Sequence, residues 1–240
     1  MTDAPRFDPA VEARLDELAA EHDLAGRAVD QLRVLLDVYA TDEHAATTVR
    51  DPAEAVDRHV ADGLSGLVVP ALSRASRVVD VGTGAGVPAL VLAAARPDME
   101  VVALDTVGKK VAWTVSCAER MGLTNVRGVH ARAEAWWEGQ GWAEVVTARA
   151  VAQLGVLIEY ACPLLTPGGR LVAWKGSIEG EEETVARSVA KQLRMSPPEQ
   201  LPVAPWPEAT RRQLVVLIKS GPTPKGFPRQ AGAALRKPLR

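Results

Sequence analysis

Short β-branched runs alternate with longer amphipathic stretches from residue 77 onward. The first kind of segment predicts strands, and the second, with apolar residues three and four apart, predicts helices. In chain order the predicted elements are strand 77–81, helix 86–96, strand 100–105, helix 108–121, strand 125–130, strand 143–147, helix 151–165, strand 170–174, helix 180–194 and strand 213–219. Such alternation is typical of a mostly parallel sheet with helices on both faces, so we expect a Rossmann-like α/β fold.

A helical segment precedes the predicted sheet. Apolar positions at helical spacing predict one helix around residues 11–18 and a second around residues 28–39. A third begins at Asp51 and Pro52, which are residue types favoured at the N-cap and at the first helical position. No linker is long enough to separate two domains. We therefore expect one domain, composed of a helical extension 1–72, an α/β core 73–220 and a basic tail 221–240.

A glycine-rich turn joins the first predicted strand to its helix. Gly82, Gly84 and Gly86 give the spacing G-x-G-x-G, whereas a dinucleotide-binding turn has G-x-G-x-x-G. Asp80 lies two residues before the first glycine, where its charge would oppose a pyrophosphate but could pair with the amino group of S-adenosylmethionine. This pattern favours S-adenosylmethionine as the cofactor.

A second acidic residue, Asp105, ends the predicted strand 100–105 and lies 23 positions after Gly82. An acid at about this separation is placed to accept hydrogen bonds from ribose hydroxyls. Proteins that bind NAD use such an acid in the same way, so Asp105 indicates an adenosine derivative without choosing between the two cofactors. A NAD-dependent oxidoreductase therefore stays open as an alternative.

The composition is that of a globular enzyme domain, with 240 residues, 47% of them hydrophobic, and a net charge of −2. Cys117 and Cys162 are far apart and have no metal-like spacing, so we expect neither a disulfide nor a metal site. The sequence shows no signal peptide and no apolar segment near the ~20 residues needed to span a bilayer. We expect a cytoplasmic protein that does not enter a membrane.

The charge is unevenly distributed along the chain. Residues 1–62 contain fifteen acidic and six basic residues, whereas residues 211–240 contain eight basic residues and no acidic one. A basic tail on an acidic protein indicates a polyanionic partner, although terminal cations can also serve only to keep a chain end soluble. Four prolines after residue 220 predict that the tail is extended or becomes ordered on binding.

Polar residues follow several predicted strands, at the sheet edge where ligands gather in this kind of fold. Arg132 and Glu134 follow the third strand and could read the edge of an adenine, or could simply form a solvated pair. Arg149 follows the fourth strand in the segment TARA, and Lys175 follows the fifth. The segment TARA lacks the Asn or Asp, prolines and aromatic residue expected of enzymes that methylate exocyclic amines, which disfavours that chemistry.

Several segments resemble one family along nearly the whole chain. They are TTVRDPAEAVDRHVADG, VVDVGTGAGVPALVLAAARPDMEVVALDTVGKKVAW, RAE, VVTARAVAQL, LLTPGGRLVAWKG and PRQAGAALRKPL. This sequence resembles the bacterial 16S ribosomal RNA guanine-N7 methyltransferases, historically called glucose-inhibited division protein B. It departs from them at Ala45 and Ala46, where the family commonly has Asn-Leu, and at Gly63, where a serine is frequent.

The resemblance implies a class I S-adenosylmethionine-dependent methyltransferase with a seven-stranded sheet. It implies cofactor contacts at Gly82, Val87, Ala133, Glu134 and Arg149, which join Asp80, Gly84, Gly86 and Asp105 as candidate cofactor-binding residues. For Arg149 we expect pocket shaping and no general-base role. The candidate RNA-binding residues are Arg50, Arg58, Lys109, Lys110, Lys175, Arg229, Arg236 and Lys237.

The activity implied by the resemblance is methyl transfer to N7 of a guanine in 16S ribosomal RNA, giving 7-methylguanosine. The expected partner is 16S rRNA, the small ribosomal subunit or an assembly intermediate, and we expect a monomer. A methyltransferase acting on small molecules is the main alternative, since it would use the same pocket without the basic tail. A binding module that keeps the cofactor pocket without turnover is a third possibility.

Overall fold

The centre of the fold is a seven-stranded sheet with the strand order β3-β2-β1-β4-β5-β7-β6 in the computed structural model, which describes residues 7–240. Strands β1 to β5 pair with one another in parallel. β7 runs antiparallel to both of its neighbours, β5 and β6. The strands are β1 (Arg77–Val81), β2 (Glu100–Asp105), β3 (Val126–His130), β4 (Ala143–Arg149), β5 (Leu165–Lys175), β6 (Glu199–Pro202) and β7 (Gln213–Ile218). The prediction of a mostly parallel, Rossmann-like sheet is confirmed.

Helices cover both faces of the sheet because alternate strand residues point to opposite sides. In β1, Val78 belongs to the core beneath the N-terminal helices, whereas Val79 and Val81 belong to the core on the other face. The helices that follow β1 are α6 (Ala89–Ala95), α7 (Gly108–Arg120), α8 (Leu154–Leu164), α9 (Glu181–Gln192) and α10 (Ala233–Arg236). No helix within the described residues 7–240 is long and apolar enough to cross a membrane.

The N-terminal segment is helical, as predicted. It contains α1 (Pro9–His22), α2 (Gly26–Thr41), α3 (Pro52–Ala55), a π-helical stretch (Val56–Ala61), α4 (Asp62–Leu64), a 3-10 turn (Ser65–Val68) and α5 (Pro70–Ser73). The Asp51 carboxylate caps α3 by accepting a hydrogen bond from the Ala53 N–H at 2.8 Å, and Pro52 is the first helical residue. Leu15, Leu18 and Leu36 pack this extension onto one face of the sheet.

The structure differs from the prediction mainly at element ends. β5 begins five residues early, at Leu165, because that residue pairs with Ala143 across an irregularity in the ladder. β6 was not predicted. α8 begins only at Leu154, because Gln153 before it has an extended ψ of 151° and is the N-cap.

The C-terminal tail differs most from its prediction. It is not extended but folded against the sheet domain, with the short helix α10 and a fully buried Ala234. An ion pair holds the tail in this position. Arg229 donates from Nε and Nη2 to the two carboxylate oxygens of Glu159, both at 2.6 Å. The tail is therefore held by contacts within the chain.

Candidate functional site

A cleft of about 290 Å³ lies at the carboxyl ends of β1, β2, β3 and β4. Parallel strands of an open sheet place their ligand sites at this edge. The cleft is lined by Val81, Gly82, Leu104, Asp105, Thr106, Val107, Lys110, Ala131, Arg132, Ala133, Glu134, Ala150, Val151, Ala152, Tyr160 and Leu235. Four of the candidate cofactor-binding residues are in this set, namely Gly82, Asp105, Ala133 and Glu134.

Gly82 forms the wall of the cleft directly after β1. Its φ is +71°, a conformation that favours glycine, and a Cβ at this position would lie 2.6 Å from Cγ2 of Val151. The N–H groups of Gly82 and Thr83 donate to the Leu104 carbonyl at 2.7 and 3.1 Å, which ties the turn to the end of β2. The turn therefore brings bare backbone to the cleft surface.

Asp105 is the central carboxylate of the cleft. Its Oδ2 accepts a hydrogen bond from the Gly84 N–H at 3.1 Å, and its Oδ1 accepts one from the Val107 N–H at 2.9 Å. These two bonds fix the carboxylate between the glycine turn and the start of α7. Each oxygen keeps further acceptor capacity toward the cleft, which suits a pair of ribose hydroxyls.

Glu134 lies on a 3-10 turn (Ala133–Ala135) after β3 and is almost fully buried. Its Oε1 accepts a hydrogen bond from the Gly232 N–H of the C-terminal tail at 2.7 Å. Tyr160 lines the same end of the cleft, and burial raises the pKa of its hydroxyl to about 12, with the nearby Glu134 charge acting in the same direction. Sequence reasoning identified Glu134 but not its tail partner.

Asp80 is not among the residues that line the cleft, and its contact with the amino group of the cofactor stays a prediction. It is 1% exposed, and its Oδ1 accepts a hydrogen bond at 2.8 Å from the hydroxyl of Thr147, its register partner in β4. Burial raises the pKa of Asp80 to about 6. The sequence cannot show this neighbour, because the two residues are 67 positions apart.

Three further candidates belong to the glycine turn or follow it directly, and they are not among the residues that line the cleft. Gly84 supports Asp105 through its N–H, as described above. Gly86 has a φ of +77° and packs so closely that a Cβ would lie 2.4 Å from Cδ1 of Leu90. Val87 is buried in the core under the N-terminal helices. These residues shape the turn instead of forming the cleft surface.

Arg149 lies at the end of β4 in a buried ionic cluster and also does not line the cleft. Its Nη1 is 3.2 Å from Oδ2 of Asp62, a residue with no solvent exposure. Arg212 donates to the same carboxylate from Nε at 2.8 Å and also from Nη2. Asp62 thus pairs with two arginines that are distant from it in sequence. The partner Arg212 could not be predicted from the sequence.

His59 completes this cluster on the side of the N-terminal helices. Its Nε2 is 2.8 Å from the Thr47 hydroxyl, and its Nδ1 is 3.3 Å from Nη2 of Arg149. Burial lowers the pKa of His59 to about 4, and the Arg149 charge adds to the effect. The ring is therefore neutral at physiological pH and acts as a packed, hydrogen-bonding neighbour of Arg149.

The comparisons with known proteins agree with this geometry. The model of the GidB family, described as rRNA small subunit methyltransferase G, matches residues 32–204. A ribosomal RNA small subunit methyltransferase G of Symbiobacterium thermophilum is 34% identical and covers 99% of this chain and 100% of its own. One from Chloroflexus aggregans is 38% identical and covers 82% and 84%. The chain belongs to this family.

Solved structures show the same fold at low sequence identity. The S-adenosylmethionine-dependent methyltransferase SibL superimposes with a TM-score of 0.56 at 17% identity, covering 88% of this chain and 74% of its own. A putative S-adenosylmethionine-dependent methyltransferase of Methanococcus maripaludis gives 0.55 at 12% identity, covering 68% and 86%. The class I methyltransferase fold expected from the sequence is confirmed.

Family membership makes this chain an S-adenosylmethionine-dependent methyltransferase of small-subunit ribosomal RNA. It also decides against the NAD-dependent oxidoreductase. The residues present fit the cofactor, since bare backbone at Gly82, the fixed carboxylate of Asp105 and apolar side chains such as Val107 all face one cleft.

The candidate RNA-binding residues fall into two groups. Four have partners within the chain: Arg50 donates to the carbonyls of Asp42 and Glu43, and Arg58, Lys175 and Arg229 pair with Glu54, Glu182 and Glu159. The other four, which are exposed, are Lys109, Lys110, Arg236 and Lys237. Of these, Arg236 also donates a hydrogen bond to the Ala231 carbonyl at 3.3 Å. Lys110 also lines the cleft.

Proposed function

We propose that this enzyme transfers a methyl group from S-adenosylmethionine to N7 of a guanine in 16S ribosomal RNA, with the cofactor held in the cleft at the carboxyl ends of β1 to β4. The observation that carries this proposal is the Asp105 carboxylate, fixed by two backbone N–H groups and facing the cleft. The resemblance to guanine-N7 methyltransferases supports the choice of the acceptor atom.

Each cofactor-binding residue has its own part in this proposal. Asp105 accepts hydrogen bonds from the ribose hydroxyls, and the turn at Ala133 and Glu134 holds the adenine. Gly82 lets the backbone approach the rest of the cofactor, because its lack of a Cβ keeps that wall open. Five other candidates support the cleft by holding the glycine turn and the end of β4 in place, and they are Asp80, Gly84, Gly86, Val87 and Arg149. Bound S-adenosylmethionine supplies the electrophilic methyl group.

The acceptor atom needs no general base. N7 of guanine carries an in-plane lone pair at neutral pH, so the protein has only to align it with the methyl group, and proximity and orientation supply most of the rate. Arg149 fits a positioning role, because its guanidinium group pairs with the buried Asp62 and the His59 ring packs beside it. A cation that also contacted the base would favour O6, since a bidentate grip on O6 and N7 would block the reacting atom.

The RNA is bound on the side of the cleft where exposed cations lie. Lys109, Lys110 and Lys237 are exposed and can meet phosphates there. The other five candidates would first have to leave their partners within the chain, and they are Arg50, Arg58, Lys175, Arg229 and Arg236. Phosphate contacts of this kind weaken steeply with salt. We further propose a cytoplasmic monomer whose substrate is 16S rRNA, the small subunit or an assembly intermediate.

The test is methyl transfer from labelled S-adenosylmethionine to small subunits that lack the modification, mapped by cleavage at 7-methylguanosine. We expect one labelled guanine with the natural enzyme. Asp105→Ala should weaken S-adenosylhomocysteine binding by about a hundredfold, because two hydrogen bonds to a charged acceptor are lost. Asp98→Ala removes an exposed acid before β2 and is the matched control. Label at an atom other than N7, or equal binding by both variants, would contradict the proposal.

A further inference from the structure

The C-terminal tail (residues 221–240) reaches the cofactor cleft. Leu235 of α10 is one of the cleft-lining residues, although it lies 75 or more positions beyond the others. Its neighbour Ala234 is fully buried in the core beneath the cleft, which fixes the helix against the domain. A tail predicted to be extended or to become ordered on binding thus forms part of the cleft wall.

Two sets of bonds hold the tail in this position. The Arg229 guanidinium pairs with the buried carboxylate of Glu159 on α8 and also donates from Nη1 to the Lys237 carbonyl at 3.0 Å. At the chain end, the Arg240 carbonyl accepts hydrogen bonds from Ser188 at 3.0 Å and Gln192 at 2.8 Å, both on α9. The segment between these anchors is therefore placed with little freedom.

The tail meets the cleft at the end formed by the loop after β3. There the Gly232 N–H donates to Oε1 of Glu134 at 2.7 Å, a contact buried from solvent. Leu235, three residues further on, is 56% exposed. A large apolar side chain exposed at the rim of a ligand cleft has surface available for a ligand to cover.

We propose that the tail completes the nucleoside end of the S-adenosylmethionine site. Leu235 covers the apolar face of the adenine, and the Gly232 N–H fixes Glu134 so that its other oxygen faces the base. This inference rests on the proposed position of the cofactor in the cleft. It assigns Leu235 and Gly232 to cofactor affinity, and it makes Arg229 a residue that positions the tail through Glu159 instead of an RNA contact.

The test measures S-adenosylhomocysteine and adenosine binding to the full chain by titration calorimetry. Leu235→Ala should weaken both ligands by about fivefold to tenfold, since the removed side chain no longer covers apolar ligand surface. Leu235→Met keeps the apolar cover and should bind as the natural chain does. Val68→Ala shortens a similarly exposed apolar side chain, 55% exposed and outside the cleft, and should have no effect.

A second measurement separates cofactor affinity from RNA affinity. Binding of 16S rRNA without cofactor should be the same for Leu235→Ala and the natural chain, whereas Lys237→Ala should lower RNA binding only. Natural affinity of Leu235→Ala for both ligands would overturn the inference, as would an equal loss in Val68→Ala. If the natural chain itself binds no S-adenosylhomocysteine, the proposed function fails, and this outcome is distinct from the other two.

Discussion

Replacing Asp62 with asparagine tests the buried ionic cluster beside the cleft. Asp62 has no solvent exposure, while the side chains of its partners Arg149 and Arg212 are 16% and 28% exposed. The amide keeps the shape of the carboxylate but removes the charge that both guanidinium groups share. The hydrogen bond from Trp174 Nε1 to the Asp62 carbonyl remains, because it involves only the backbone.

The expected loss of unfolding free energy in Asp62→Asn follows from the positions of the charges on Asp62, Arg149 and Arg212. At an effective dielectric constant of about 20, each charge pair at ~4 Å is worth about 4 kcal/mol, and the burial of the carboxylate opposes this gain. Breaking a buried pair costs about 3–5 kcal/mol, and the partial exposure of Arg212 places Asp62→Asn near the lower end, about 3 kcal/mol. For a chain of this size the loss corresponds to a fall in Tm of about 6–12 °C.

The assay is urea unfolding at pH 7, followed by circular dichroism. Asp57→Asn is the matched control, because Asp57 pairs with Arg14 at 2.9 Å near the surface, where such a pair contributes about 0–1 kcal/mol. S-adenosylhomocysteine affinity should change less than about twofold in Asp62→Asn, since Asp62 does not line the cleft. A loss below about 1 kcal/mol, or no larger than that of Asp57→Asn, would refute the reasoning.

Two further predictions concern His59 and Gly66. The folded-state pKa of His59 is about 4, below its unfolded value of 6.5, so the unfolded chain takes up a proton first and stability falls between pH 6.5 and 4. His59→Gln should therefore lose less unfolding free energy than the natural chain between pH 7 and pH 4.5. Urea unfolding at several pH values measures this loss, and an equal loss in both chains would show that His59 does not contribute. In Gly66→Ala the new Cβ would lie 2.4 Å from Cζ2 of the buried Trp174, and overpacking of this kind costs about 1–3 kcal/mol. Gly26→Ala adds a Cβ in open space and should not lower Tm, so an equal fall in both variants would contradict the account of Gly66.

The strands could be predicted because their signal is local. β1 and β2 have the predicted bounds, since β1 is rich in valine and ends just before Gly82, and β2 ends at Asp105. β6 was missed because it has only four residues, ends in proline and is an edge strand whose pairing with β7 supplies its stability. Its residues have no periodicity of their own that would distinguish them from a loop.

The cofactor site could be predicted at positions where the local structure or the ligand requires one particular type of residue. Gly82 and Asp105 are of this kind, because a turn needs glycine at positive φ and ribose needs an acceptor. The partner of Asp80 could not be predicted, because Thr147 comes from a different strand that is distant in sequence. The tail was misjudged because charge and proline content say nothing about Glu159, which is 70 positions away from Arg229 and holds it.

The bond between Gly232 and Glu134 also fixes the order in which the cleft can be completed during synthesis. Translation proceeds from the N-terminus, so β1 to β5 are made well before residue 232 is added. Until then Glu134 lacks its donor, and Leu235 is absent from the wall. A nascent chain thus has most of the cleft without the side that the tail supplies, and this side forms only after residues 232–235 have left the ribosome. Because those residues are made after β1 to β5, the strands that carry most of the cleft can fold before its wall is complete.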